Sequence, residues 1–548
     1  MANTAVPRGE TSAENDRSNS NLDMDPYADE SILEIGKTVP ITHADLASLE
    51  DVSRDLRNDP DARAAFLATF TADEEKTIMN KVDRRFFVLI GIMFMVKNID
   101  FGNISIIKTM QAGSESNIIT ELNMTPDDYN WVATIQGIPY IIFELPSNLL
   151  LKYMTPHAWE SRIFLTWGIV TACCGAVNTK SQILALRFLV GMFEAGMFPG
   201  VITTLSYWYR TDEVGRPLLW YFAISNLSNI VGSLVCYGAS FMDGIQNLSG
   251  WRWAFILEGV ATVLFAGVIF WVLPDFPKSP RSNSWLTPRE QQFLEARLPP
   301  SAPATADKSW DTREAWTAFK APTTWAFLLD QTLMNLATYA LSWYLPTIIA
   351  SLGFAKLPNS LLLNIPPAAA GILAMLICVL ITSRAWAPRP LMCICTVLGT
   401  IVCFILFFSV SGKAGLYAAC ILSQFFSSSY YVPYWSWRTS IMAGSTGASF
   451  AIGLQSSVAQ LGAAIGPQFF QSKWAYNRYR NSFFIGFAIT LAALATNLWT
   501  WWLTRRIEQR VVEVRKDTLR ARREGRAYDG RIDIDIMDSK KIKNHEWI

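Results

Sequence analysis

The stretch Arg187–Gly200 reads R-F-L-V-G-M-F-E-A-G-M-F-P-G, an apolar, membrane-length segment interrupted by one arginine, one carboxylate, three glycines and a late proline. Arg187, Gly191 and Glu194 are four and three residues apart, so they share one helical face. A charge at the centre of a spanning helix costs roughly 3 kcal/mol on insertion scales. This face therefore belongs against protein or a cavity, not against lipid.

Around it the chain has the composition of a polytopic membrane protein. Half of its 548 residues are hydrophobic, 21 are Trp, and charge is confined mainly to loops and ends. Apolar runs of about 20 residues, the length that crosses the hydrocarbon core, recur about twelve times. They fall near 86–106, 128–152, 159–178, 181–204, 216–240 and 252–273, then near 324–350, 361–382, 389–410, 415–437, 448–470 and 483–504. The expected fold is all-α, with twelve transmembrane helices in two six-helix bundles. The expected organisation is a largely disordered tail (1–80), a first bundle (81–273), a linker with a short helix at Pro288–Leu298 (274–323), a second bundle (324–504) and a basic tail (505–548).

The formal net charge of +1 says nothing about partners, among which no nucleic acid is expected, but its distribution is informative. Lys152, Arg162, Arg210, Arg216, Arg384, Arg389 and Arg438 follow even-numbered spans, which places both termini in the cytoplasm. The first 80 residues lack a positive start with an apolar core, so no cleaved signal peptide is expected and the first span is expected to serve as the insertion signal. Ala44–Arg57 and Ala62–Met79 have the pattern of short amphipathic helices. After Trp502, a stripe of Ile507, Val511 and Val514 among arginines fits either a helix on the inner leaflet or a solvated basic stop. The eight cysteines lie in spans without metal-site spacing, so neither a metal nor another cofactor is expected. Asn123 and Asn247 head glycosylation sequons in loops expected outside.

In the first span, Lys97 and Asp100 are three apart and able to pair, with Asn103 one turn further on. They form either a packing ion pair or a receptor for a substrate carboxylate. Glu144, between Pro139 and Pro146, is able to carry a proton or to hold a loop arginine. Glu194, with Arg187 two turns away, is the stronger proton carrier, and the small residues Gly191, Ala195 and Gly196 admit a neighbouring helix. In the second half, Gln331, Asn335 and Tyr339 form a polar stripe, and Tyr430 and Tyr434 belong to a segment rich in hydroxyls and aromatics suited to a small, flat organic ligand.

These residues resemble the anion:cation symporter group of the major facilitator superfamily, in its fungal allantoate-permease-like branch. The resemblance rests on T-A-D-E-E-K-T-I-M-N-K-V-D-R-R at Thr71, E-L-P-S-N at Glu144, the Arg187 stretch, G-W-R-W-A-F-I-L-E-G at Gly250, L-P-D-F-P at Leu273, the L-T-P-R-E-Q-Q-F-L-E-A-R-L helix at Leu286 and L-L-L-N-I-P-P at Leu361. It implies alternating access, a proton gradient as driving force and a small organic anion (a vitamin- or ureide-like carboxylate) as substrate. It also implies a monomer in the lipid bilayer, with the plasma membrane before a vacuolar or other endomembrane. Glu194 and Arg187 match the family's coupling positions. Many members have an arginine directly after the first-span Asp, where this chain has Phe101, and Lys97 is positioned to replace it. Competing expectations are an exporter of an acidic secondary metabolite and a non-transporting nutrient sensor. An enzyme is not expected, because His43, His157 and His545 all lie outside span centres.

Overall fold

The computed structural model describes residues 63, 66–67, 69–151, 154–209, 221, 224–298, 312–441 and 445–523. The candidate helix at 44–57, the linker stretch 299–311 and the tail beyond 523 lie outside the described residues. The chain divides at Thr71 into two units. The following concerns the second.

All regular structure among the described residues is helical. The first half comprises α1 (Ala72–Ile107), α2 (Pro126–Leu151), α3 (Pro156–Cys174), α4 (Lys180–Glu194), α5 (Met197–Ser206), α6 (Ser228–Ser240) and α7 (Gly250–Val272). The linker holds α8 (Pro288–Ala296) and α9 (Thr312–Lys320). The second half comprises α10 (Pro322–Leu352), α11 (Ile365–Ser383), α12 (Arg389–Ser409), α13 (Lys413–Thr439), α14 (Ser445–Ala459), α15 (Leu461–Ile465) and α16 (Arg480–Arg523). Helix occurs at each of the twelve expected spans, the fifth being described only in part. Six helices among the described residues are long and apolar enough to cross a membrane by length and composition.

Three features depart from expectation. The first concerns α1, which begins at Ala72, well before the expected boundary at 80, with Asp73, Glu74 and Glu75 in its first turn where the helix dipole favours anions. This extension docks on the linker helix: Lys81 Nζ lies 2.7 Å from Glu290 Oε1, and Arg297 pairs with Glu75 at 3.7 Å. α8 itself starts with Pro288 and a reciprocal cap between Thr287 and Glu290.

The second is a break in the fourth span. α4 stops at Glu194, Ala195 is extended (φ −60°, ψ 127°), and Gly196 has φ 103°, a left-handed value that glycine adopts without penalty. Gly196 thus breaks the helix and is also a packing surface, since a Cβ there would lie 2.0 Å from Ser147 Oγ of α2. Gly191 does provide the close approach expected of it, since a Cβ there would lie 2.0 Å from the Gln136 carbonyl of α2.

The third is α16, a continuous helix of 44 residues. The Ile507 and Val511 stripe is buried against Phe327, Cys393 and Trp437 of its own half. Neither an inner-leaflet surface helix nor a solvated stop describes it. Glu508, on the same face, accepts from the Arg389 guanidinium and from its backbone N–H, and Arg389 also donates to the Ser436 carbonyl.

Two predictions follow from these contacts. Glu508→Ala strands a buried guanidinium and should cost about 3–5 kcal/mol in thermal unfolding, whereas replacing both partners with apolar residues should cost far less. Burial opposes ionisation of Glu290, but hydrogen bonds from Lys81 and the Thr287 cap outweigh it and hold its carboxyl below the ordinary value. The folded-state value is below the unfolded one, so this contact is intact above the ordinary carboxylate range and is lost as pH falls through the folded value. Hydrogen exchange across 287–297 should rise on acidification, and Glu290→Gln should remove that pH dependence.

Candidate functional site

Two interhelical ion pairs join α1 to α4, and they are crossed relative to the pairs suggested by spacing. Lys97 Nζ lies 3.3 Å from Glu194 Oε1, and Arg187 Nη1 donates to Asp100 Oδ1 at 3.2 Å. The expected pairings within each helix, Lys97 with Asp100 and Arg187 with Glu194, do not form. Arg187 and Glu194 are two turns apart, roughly 10 Å along the axis, while the facing helix offers each a closer partner. Gln136 donates to the other Glu194 oxygen at 2.9 Å, and Trp167 donates to the other Asp100 oxygen at 2.8 Å. Lys97 also donates to the Tyr140 hydroxyl at 3.1 Å. Each carboxylate therefore has a cation and a neutral donor, the arrangement that makes a buried pair tolerable.

A cavity of ≈ 330 Å³ lies between the two halves. Its wall includes Lys97, Asn98 and Phe101 of α1, Gln331, Asn335 and Tyr339 of α10, and Tyr431 and Trp435 of α13. Among the described residues of that wall, Lys97 is the only charged side chain. Asp100 and Asn103 sit behind it: Asp100 is held by Arg187 and Trp167, and Asn103 donates to Glu258 of α7.

Tyr430 and Tyr434 do not face the cavity. Both are fully buried, with the Tyr430 hydroxyl donating to Asp330 Oδ2 at 3.0 Å and the Tyr434 hydroxyl to the Phe327 carbonyl at 2.6 Å. One residue further along, a rotation of about 100° on a helix, Tyr431 and Trp435 provide the wall instead. The Tyr431 hydroxyl donates to Asn335 Oδ1 at 2.6 Å, and Gln331 accepts from Gln455 at 2.5 Å. Glu144 accepts from Ser457 of α14 at 2.6 Å, a link between the halves, with a hydroxyl where a loop arginine was the alternative.

Sequence reasoning missed Glu258 and Asp330. Each is a lone carboxyl inside an apolar span, the signal that was followed for Glu194. Asp330 also accepts from Asn497 at 3.0 Å and Thr496 at 3.4 Å.

At the end distal to the linker the halves are bolted together. Asn130 donates to the Phe470 carbonyl at 3.0 Å and accepts from the Trp343 indole at 2.9 Å. Thr134 donates to the Ala464 carbonyl at 2.7 Å, and Asp127 accepts from the Ser472 backbone at 2.7 Å. The sequon residues Asn123 and Asn247 are exposed, with φ of 50° and 60°.

Residues 87–467 match the Major Facilitator Superfamily. The chain belongs to that family. It is a multi-pass membrane protein whose curated relatives are named as transporters, and the matched stretch spans less than two thirds of the length of the two described next. Among relatives, "MFS transporter prlL" of Fungal sp. (strain NRRL 50135) is 29% identical over 297 residues, 54% of this chain and 59% of that protein. "Putative metabolite transport protein NicT" of Pseudomonas putida is 28% identical over 302 residues, 55% of this chain and 66% of that protein. A bacterial homologue of the human lysosomal transporter Spinster, solved in an inward-facing and occupied conformation, shares the fold, with a TM-score of 0.56 at 14% identity. That match covers 76% of this chain and 96% of that one.

Asn130→Ala deletes the two bonds that cross the distal seal, besides one from Lys108 within the first half; the two crossing bonds are worth about 2 kcal/mol in all, or roughly 30-fold in the population of the state open there. A cysteine placed at Ser342 in the cavity wall should then react faster with an impermeant maleimide added from the distal side. An unchanged rate would show that these bonds do not hold the seal.

Proposed function

We propose that this protein is a proton-coupled symporter of a small organic monoanion. The observation that carries the proposal is the position of Lys97, the charged group of the cavity wall, paired at 3.3 Å with a carboxylate that lies outside that wall. While Glu194 is ionised it neutralises Lys97, leaving the wall a poor receptor for an anion. A proton on Glu194 releases Lys97, which then offers one positive charge to one carboxylate. One proton per negative charge makes the cycle electroneutral.

The hinge at Gly196 adjoins Glu194, so movement of α5 relative to α4 alters the surroundings of the coupling carboxyl. The aromatic wall of Phe101, Tyr339, Tyr431 and Trp435 supports a flat or partly apolar substrate. The Phe101 and Tyr339 rings already meet edge-on at 5.4 Å. The resemblance to allantoate-permease-like motifs supports a vitamin- or ureide-like carboxylate as the substrate. On this reading the protein is a monomer in the plasma membrane with both termini cytoplasmic, and the distal seal is at the outer face.

The experiment is uptake of labelled nicotinate, pantothenate, allantoate and biotin into proteoliposomes. Accumulation of one of them under an inward proton gradient, but not under membrane potential alone, is the expected result. Silence across the panel with folded protein would instead favour export of a specialised acidic metabolite. Glu194→Gln should abolish uphill uptake while sparing counterflow; intact uphill uptake would remove Glu194 from coupling. Lys97→Ala should raise the apparent KM about 10-fold or more, the effect of a lost charge-assisted hydrogen bond. An unchanged KM would remove Lys97 from the site.

A further inference from the structure

Pairing the buried charges at the level of α1 leaves Glu258 over. Among the described residues, Lys97 and Arg187 meet Asp100, Glu194 and Glu258 there: two cations and three carboxyls. Glu194 and Asp100 take the cations. Glu258 has only the Asn103 amide as partner, and its Oε2 is buried without one. On the other side, Arg187 Nη1 reaches Asp100 while its Nε and Nη2 are buried and meet no acceptor. The Arg187 guanidinium lies 4.7 Å over the Phe255 ring, one turn before Glu258 on α7, which places the Glu258 carboxyl within electrostatic range of Arg187. Asp100 and Asn103, one turn apart on α1, thus present Arg187 and Glu258 to the same interior. The other titratable groups against this cluster are Tyr140 and Glu144 of α2 and Tyr339 of α10 beside Lys97, and Tyr129 of α2, Cys174 of α3 and Cys236 of α6 beside Arg187 and Glu258; none of these is a cation.

We propose that Glu258 is the alternate counter-ion of Arg187. In the arrangement described, Glu258 holds the proton that brings the five groups to zero net charge. When Asp100 becomes the protonated partner, the O–H bond on Glu258 breaks as one forms on Asp100, and Arg187 turns its free N–H groups to the ionised Glu258. The proton count is unchanged and Arg187 is never left without an anion. The exchange rests on the proton-coupled reading only for its use in transport, and is tested without any substrate.

Infrared spectra of the purified full-length protein report protonated buried carboxyls directly. The wild type should show a carboxylic-acid band that Glu258→Gln lacks. Asp100→Asn should lack it too, because Glu258 then ionises to pair with Arg187, an effect that a purely structural Glu258 would not produce. Persistence of the band in Asp100→Asn, or identical spectra for wild type and Glu258→Gln, would overturn the proposal. In thermal unfolding, the Asp100→Asn/Glu258→Gln double variant should lose more than the sum of the single losses, with recovery on adding Arg187→Gln. Additive losses would also overturn it, and if the double variant fails to fold the spectra of the single variants decide.

Discussion

A charge in a water-poor interior needs a partner from somewhere, and in this protein the partner comes from another helix. Lys97 and Asp100 on α1 are tied to Glu194 and Arg187 on α4, so the register of these two helices is set by electrostatics as much as by packing. Much else in the first half serves that arrangement. Gly191 lets α4 touch the backbone of α2, which brings Gln136 to Glu194, and Trp167 of α3 completes the acceptor needs of Asp100. Remove the crossed pairs and the glycine contact has no charge to position.

The second half solves a similar problem with neutral donors. Asp330 is fully buried and is held by a phenol, an amide and a hydroxyl from α13 and α16. The charge in the wall of the cavity between the halves comes from α1, while amides and aromatic rings come from both halves. An anion entering it would meet its counter-charge on one wall and stacking and hydrogen-bonding groups on both.

Much of this was legible in the residues. Twelve apolar runs, the linker helix with its leading proline and the polar interruption of the first and fourth spans all follow from length, period, turn chemistry and the cost of burying charge. The partners were not legible. Helical spacing relates residues on one helix, and it placed Lys97 beside Asp100; it carries no information about the facing helix that won both. The same limit applied to Tyr430 and Tyr434, where pattern identified an aromatic segment but not which side of it met the cavity. The helix break needed a backbone dihedral at Gly196 that a glycine permits without announcing. Glu258 and Asp330 were overlooked although the criterion that singled out Glu194, a lone carboxyl in an apolar run, applied equally to them.

The last helix has a mechanical consequence. At 44 residues it is about 66 Å long, roughly twice the thickness of a hydrocarbon core, and its far portion is clamped to α12 through Arg389 and Glu508. It behaves as a stiff rod gripped along its length by the bundle it belongs to. Any tilt of that bundle is thereby magnified at Arg523, the tip of the rod.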